Sequence, residues 1–294
     1  MRLQQALLPP ACSSRDTAPP SGGGGGKNRP SLSAYRPLLF DFSPSIIILV
    51  SSGGHLSRRS KPQESFRMAG EKQFRPALII VDFQEDFCPP NGALPVTEGR
   101  SIASSINTLT TLPFALILAT KDFHPPNHIS FAANHPSATP YTSTTTVVHP
   151  RDPDRSYETT LWPTHCVQGT QGADLVPELD VSRVHAVIEK GQDARVEMYS
   201  AFYDPFRVSD SGLAAMLKEQ EVTDVYVVGL AGDFCVKATA EHAVDEGYQT
   251  WIVEEGTKPV MPDKWDECRR EMKDKGIKFT PMDGEAVARV KTCT

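Results

Sequence analysis

The sequence is short of several things, and each scarcity removes a class of protein. Its 294 residues include only six cysteines, Cys12, Cys88, Cys166, Cys235, Cys268 and Cys293. None is spaced as CxxC, so neither a disulfide framework nor a thiolate zinc site is expected, and a reducing compartment fits. Long apolar runs are missing too. Ile46–Val50, the longest near the N-terminus, falls far below the ~20 residues a membrane span needs, so no membrane partner is expected. Positive charge is scarce in most of the chain. Residues 1–67 hold nine Lys and Arg against three Asp and Glu, which leaves twenty-one against thirty-three for the remainder of a chain of net charge −6. An acidic body without a basic stripe argues against nucleic acid. No GxGxxG follows the first apolar run of the body, so hydride transfer with a dinucleotide is not indicated. A small-molecule substrate is the reading these absences leave.

Two regions differ in composition. Residues 1–67 are rich in Pro, Ser and Gly, include Gly22 to Gly26 in unbroken succession, and lack apolar periodicity. They read as a disordered low-complexity extension ahead of a domain at 68–294. The extension is poor in acid and sprinkled with arginine, like an organellar transit peptide, yet Gly and Pro break the amphipathic helix such a peptide needs. Met68, ahead of Ala69-Gly70-Glu71-Lys72, is an alternative start. The cytoplasm, with access to the nucleus, is the expected location, and organellar targeting by residues 1–67 is the alternative.

From Ala77 onward, short apolar runs alternate with helix-period segments, the pattern of βαβ units around a parallel sheet. Strands are expected at Ala77–Val81, Phe114–Ala119, His185–Glu189, Asp224–Val228, Gln249–Val253 and Ile277–Thr280. Their near-continuous Val/Ile/Leu content suits burial on both faces. Helices are expected at Gly99–Leu109, Asp210–Gln220, Cys235–Glu246 and Pro262–Lys275. The fold class is therefore α/β: three α/β/α layers on a mostly parallel, six-stranded, Rossmann-like sheet.

In such folds ligands bind beyond the carboxyl ends of the strands. Four of these ends carry reactive residues: Asp82, Lys121-Asp122-Phe123-His124, Lys190-Gly191, and Gly229 through Cys235. Cys235 sits where a Gly-rich turn enters a helix whose amides and dipole favour a thiolate, so it is the candidate nucleophile. Asp82 is a candidate base that takes the thiol proton and returns it to a departing amine. Lys190 is a candidate for holding both groups charged, lowering the pKa of each. Taken singly, each residue has a plainer role: a small buried hydrophobe, a turn residue, a solvated lysine. Asp122-x-His124 with His165 suits a divalent metal, and one Asp with two His accepts Zn²⁺, Fe²⁺ or Mn²⁺. His128, His135 and His149 lie in the same stretch and read equally well as surface histidines. The span from Asp122 to His165 shows little regular pattern and reads as a long functional loop.

Several motifs stand in one order: Ile80-Val81-Asp82-Phe83-Gln84-Glu85-Asp86-Phe87, Asp122-Phe123-His124-Pro125 with His128-Ile129-Ser130-Phe131, Leu161-Trp162-Pro163-Thr164-His165-Cys166-Val167, Lys190-Gly191 with Tyr199-Ser200-Ala201-Phe202, and Asp233-Phe234-Cys235-Val236-Lys237-Ala238-Thr239-Ala240. Through them the chain from Pro76 to about Phe279 resembles the nicotinamidases of the isochorismatase-like cysteine hydrolases, the fungal ones most closely. The resemblance implies that nicotinamide is hydrolysed to nicotinate and ammonia in NAD salvage. It makes Asp82, Lys190 and Cys235 the catalytic triad. It makes Asp122, His124 and His165 the ligands of a divalent metal, with Zn²⁺ the leading expectation, and Glu158 a further candidate for the metal shell. It also implies a substrate pocket of Phe87, Trp162 and Tyr199, an oxyanion contact from Ala231, a cis peptide at Leu230–Ala231, and self-association into a homo-oligomer. One departure is Glu85, where relatives usually have Asn; it is expected to add negative charge near the site. The alternative is a related cysteine amidohydrolase acting on another small amide, such as an N-carbamoyl compound.

Overall fold

The computed structural model describes residues 73–293; the extension read at 1–67 lies outside the described residues. Eight strands occur among them: β1 (Pro76–Val81), β2 (Leu116–Asp122), β3 (Thr144–His149), β4 (Asp152–Thr160), β5 (Ala186–Lys190), β6 (Asp224–Gly229), β7 (Gln249–Thr257) and β8 (Lys278–Thr280). Five α-helices accompany them: α1 (Ala103–Thr110), α2 (Leu213–Glu219), α3 (Lys237–Asp245), α4 (Trp265–Asp274) and α5 (Glu285–Lys291). Six strands form one sheet in the order β5-β2-β1-β6-β7-β8, every pairing parallel, while β3 and β4 form a separate antiparallel hairpin.

The layering follows from strand periodicity. Successive side chains of β1 point to opposite faces, and all six of its residues are buried. Leu78 and Ile80 pack with Ile106 and Leu109 of α1 and Val287 and Val290 of α5. Ala77, Ile79 and Val81 pack with Leu213 and Leu217 of α2, Ala240 and Ala243 of α3, and Met272 of α4. Both faces of the central strands are thus apolar, as three-layer packing requires. Full burial of each Leu or Ile contributes about 1.5–3 kcal/mol. Among the described residues no helix is long and apolar enough to cross a membrane.

Strand order reverses at β1, with β2 on one side and β6 on the other, which opens a crevice at their carboxyl ends. The expected strands are all present, with shifted ends. β2 runs on to Asp122 and β5 to Lys190, which puts those two residues opposite each other in register. The helices begin later than expected because turns of other pitch precede them: a tight 3₁₀ turn at Gly99–Ile102 before α1, and a wider π-helical turn at Gly232–Val236 before α3.

Two elements were not legible. The span read as a loop from Asp122 to His165 contains the β3–β4 hairpin. Its strands are largely exposed and polar, with Val147 and Thr159 the residues turned fully inward, so no apolar alternation advertises them. Helix α5 is only seven residues long, too short to show a period.

Candidate active site and metal centre

Each rim residue is positioned by local backbone chemistry. Asp82 follows β1 in the left-handed region, φ 47°, which Asp adopts more readily than most non-glycine residues. Its backbone N–H donates to the Thr120 hydroxyl at 3.1 Å, and that hydroxyl donates to Asp82 Oδ1 at 2.6 Å. Gly191 follows Lys190 with φ 69°, and a Cβ there would strike the ring of His124. Gly229 ends β6 with φ 115° against the backbone of Val81, again leaving no room for a Cβ. The Leu230–Ala231 peptide is cis, as the resemblance implies, and Cys235 lies within the π turn that follows.

The structure brings the three expected triad residues together from positions 82, 190 and 235, all buried. The Lys190 ammonium donates to Asp122 Oδ1 at 2.5 Å, to the Met198 carbonyl at 3.2 Å and to Cys235 Sγ at 3.6 Å. Asp82 Oδ2 stands 2.9 Å from the same nitrogen, yet no donor is aligned on it among the described residues. One carboxylate oxygen is therefore free to accept a proton, and an oxygen of this carboxylate lies within 4.8 Å of the Cys235 sulfur.

Lys190 lowers the pKa of both partners, as expected, but burial outweighs it in each. Burial pushes the Asp82 carboxyl up to about 6, further than Lys190 pulls it down, and the Asp122 carboxylate adds to the rise. Burial likewise raises the Cys235 thiol well above its ordinary value; Lys190 opposes this, and the two carboxylates reinforce it. Lys190 is itself pushed up, because Asp122 and Asp82 outweigh its desolvation. At neutral pH the resting arrangement is a carboxylate, an ammonium and a thiol.

Asp122 links this cluster to a second one. Its Oδ2 lies 3.5 Å from His124 Nε2 and 4.0 Å from His165 Nε2. Both imidazoles turn Nδ1 to a backbone carbonyl, of Gly191 at 2.8 Å and of Pro163 at 2.7 Å. Nδ1 donates to the carbonyl in each, and the Nε2 atoms converge with Asp122 Oδ2. Burial opposes charging His124, but the Asp122 carboxylate outweighs it and raises the His124 pKa, so a cation seated there takes the place of the His124 Nε2 proton. Ligands held about 2.0–2.2 Å from one ion stand roughly 3–3.5 Å apart, so this donor set fits a divalent cation with slight contraction. Burial and the neighbouring His124 depress His165 to about 4, which keeps it neutral and able to ligate. The atoms of Asp82, Asp122 and Cys235 also cluster, but the Lys190 ammonium sits in contact with all three and leaves no place there for a metal.

Above the cysteine lies a pocket with about 360 Å³ of space free of protein atoms, part of it open to solvent. Phe87, Trp162, Tyr199 and Ala231, the four expected substrate contacts, all line it, together with Phe234, Val260, Asp122, His165 and Glu197. The Tyr199 hydroxyl accepts from Trp162 Nε1 at 2.9 Å, and Phe234 meets Trp162 edge-on with centroids 4.8 Å apart. The Ala231 N–H has no hydrogen-bond partner among the described residues, as an oxyanion donor requires.

Other expectations change. Glu158 is exposed on β4 and stands outside the group of clustered donors; a further acid lining the pocket, beside Asp122, is buried Glu197. Glu85 turns to an ion pair with Arg100, which compensates its charge away from the thiol. His128 is fully buried and bonded to Ser130 and Val196, not a surface histidine. Sequence reasoning missed Gln84, whose carboxamide accepts from the Asp122 N–H and donates to the Asp122 carbonyl, both at 2.8 Å. It also missed Asp233, whose carboxylate accepts from the N–H groups of Val260 and Met261 at 2.8 Å and so fixes one pocket wall. The signal for Gln84 was available: a polar residue three positions past the end of β1 on the same rim.

Comparison with known proteins agrees with this geometry. Residues 76–283 match the Isochorismatase domain. A nicotinamidase of Acinetobacter baylyi is 42% identical over 184 residues, covering 63% of this chain and 81% of the relative. One of Schizosaccharomyces pombe is 38% identical over 209 residues, covering 69% and 92%. Among solved structures, the yeast nicotinamidase bound to the inhibitor nicotinaldehyde superposes with a TM-score of 0.67 at 35% identity, covering 69% of this chain and 98% of that one. The pyrazinamidase of Pyrococcus horikoshii in complex with zinc superposes with a TM-score of 0.56 at 33% identity, covering 70% and 99%.

Proposed function

The chain belongs to the isochorismatase family, and from that premise we propose that it is a nicotinamidase, hydrolysing nicotinamide to nicotinate and ammonia through a cysteine thioester. The observation that carries this reading is the meeting of Cys235, Asp82 and Lys190 beneath an aromatic pocket that Asp122 and His165 also line. The nicotinamidase names of relatives 42% and 38% identical support the substrate.

The pyridine ring packs among Phe87, Trp162 and Tyr199, where apolar faces exclude water. Asp82 takes the thiol proton as Cys235 Sγ attacks the carboxamide carbon, and Lys190 stabilises the thiolate as it forms. The negative oxygen that develops is met by the N–H groups of Ala231 and Cys235; losing one such donor costs about 2.7–4 kcal/mol in other hydrolases. Asp82 then delivers its proton to the leaving nitrogen, and ammonia departs. A water molecule, losing a proton to Asp82, attacks the thioester; the C–S bond breaks, nicotinate leaves, and the proton returns to sulfur. Asp122, His124 and His165 would hold a divalent cation, zinc in our reading, for which the zinc complex of the similar pyrazinamidase is the support. When bound, that cation supplies a Lewis acid able to anchor the ring nitrogen. The reaction belongs to NAD salvage.

The three-donor group and Trp162 favour nicotinamide over an N-carbamoyl amide, and one assay tests both. Purified protein should release ammonia from nicotinamide in preference to N-carbamoyl substrates, and Cys235→Ala should lose turnover by on the order of 10⁴-fold while keeping its fold. Ammonia released by that variant at the normal rate removes Cys235 from the mechanism. Chelation should raise KM at least about tenfold. Unchanged affinity and rate after chelation would mean that the three donors hold no functional metal.

A further inference from the structure

The hairpin missed in the sequence approaches the site through two hydroxyls: that of Thr159 lies 3.1 Å from the Tyr199 hydroxyl in the pocket wall, and that of Tyr157 reaches toward the reacting groups. Tyr157, on β4, accepts a hydrogen bond from the backbone N–H of Glu197 at 3.0 Å and donates one to the carbonyl of the same residue at 3.1 Å. One side-chain oxygen thereby does for Glu197 what a facing strand residue would do, binding both its donor and its acceptor. Burial pushes the Tyr157 phenol well up from its ordinary value, so it keeps the proton it donates. The ring packs against Phe206 with centroids 4.8 Å apart, which fixes where the hydroxyl stands.

What this bracket holds in place is the peptide that follows. The Met198 carbonyl is one of the three acceptors of the Lys190 ammonium, and the Met198 N–H donates to Glu197 Oε1 at 2.9 Å. Glu197 itself lines the pocket beside Asp122 and His165. No strand of the main sheet contains residues 197 and 198.

We propose that Tyr157 is a positioning residue for the reaction: its hydroxyl holds the Glu197–Met198 backbone where the Met198 carbonyl can fix the Lys190 ammonium between Asp82 and Cys235. The proposal rests on the reading of Asp82, Lys190 and Cys235 as the reacting set. Tyr157 touches neither substrate nor reacting atoms and acts only through the chain at 197–198.

The test is Tyr157→Phe in the full chain, with Ser156→Ala, the neighbouring exposed residue of β4, as the control for the hairpin. Wild-type protein is assayed first. If it releases no ammonia from nicotinamide, the proposed activity fails and the inference falls with it. With active wild type, Tyr157→Phe should lower kcat about ten- to a hundredfold, the scale on which small misplacements of catalytic groups act. KM should stay within about twofold, and the thermal midpoint should fall by roughly 2–10 °C as the Glu197 N–H and carbonyl lose their partner, with the loss of kcat already present far below it. Unchanged kcat overturns the inference alone. So does a loss of rate that appears equally in Ser156→Ala, or one that merely tracks a falling melting temperature, since a structural role produces either.

Discussion

Ile80, in the middle of the parallel sheet, and Asp82, on its rim, are two positions apart on the chain, and both are fully buried. Ile80 is surrounded by apolar side chains that packing alone satisfies. Asp82 is surrounded by Thr120, Lys190 and Cys235, and the nearest further charge is another buried carboxylate, Asp122. A cavity in the first region forfeits some dispersion and transfer energy. A deletion in the second strands charges that have only one another for solvent. Equal burial therefore conceals two kinds of stability, one broad and tolerant, the other narrow and tied to chemistry.

The sharpest way to break this comparison is Lys190→Met. It removes the cation shared by Asp82 and Asp122 and is expected to cost about 3–5 kcal/mol in denaturant unfolding, with turnover reduced on the order of 10³-fold or more. Unchanged stability would show that the rim has another source of solvation. Ile80→Ala should cost about 2–5 kcal/mol in the same unfolding measurement, because its cavity lies between packed layers. Its kcat should stay within about threefold of wild type, since no reacting group touches that side chain. A large loss of kcat there would mean that the two regions are not separable. The smallest effect is in pH. With its pKa raised to about 6, Asp82 is protonated below that value and cannot accept the thiol proton. The rate should therefore hold above about pH 6 and fall about tenfold per unit below it. Because Asp82 shares its environment with Lys190 and Cys235, the midpoint belongs to the set. Ile80→Ala should leave the midpoint where it is, and a shifted acid limb in that variant would blur the distinction between core and rim.

Much of this was legible beforehand, and for a definite reason. Strands buried on both faces show as apolar runs, and a residue that ends such a run in a parallel sheet faces the ligand crevice. Asp82, Asp122, His124, Lys190 and Cys235 could be found from that rule, His165 from metal-ligand spacing, and the order of the motifs added Phe87, Trp162 and Tyr199. Glu158 stands apart from the clustered donors because a carboxylate near a histidine in sequence need not share its side of a strand: it is exposed on β4, whereas Thr159 beside it turns inward. Glu197 and Tyr157 were out of reach because they act through backbone groups 40 residues away or through a pocket wall.

By itself the sequence determined the layered α/β fold, the direction in which its active rim faces, and the residue types able to perform acyl transfer and hold a cation there. Hydrophobic periodicity and strand-end placement are local properties that survive in one dimension. Only the tertiary structure decided how the charges share their partners: that Asp122 joins the lysine to the two imidazoles, that burial outweighs Lys190 in setting the acidity of Asp82 and Cys235, and that a tyrosine on a polar hairpin steadies the lysine. Those outcomes depend on distances of a few ångströms between residues far apart in the chain, and on the solvent excluded from between them.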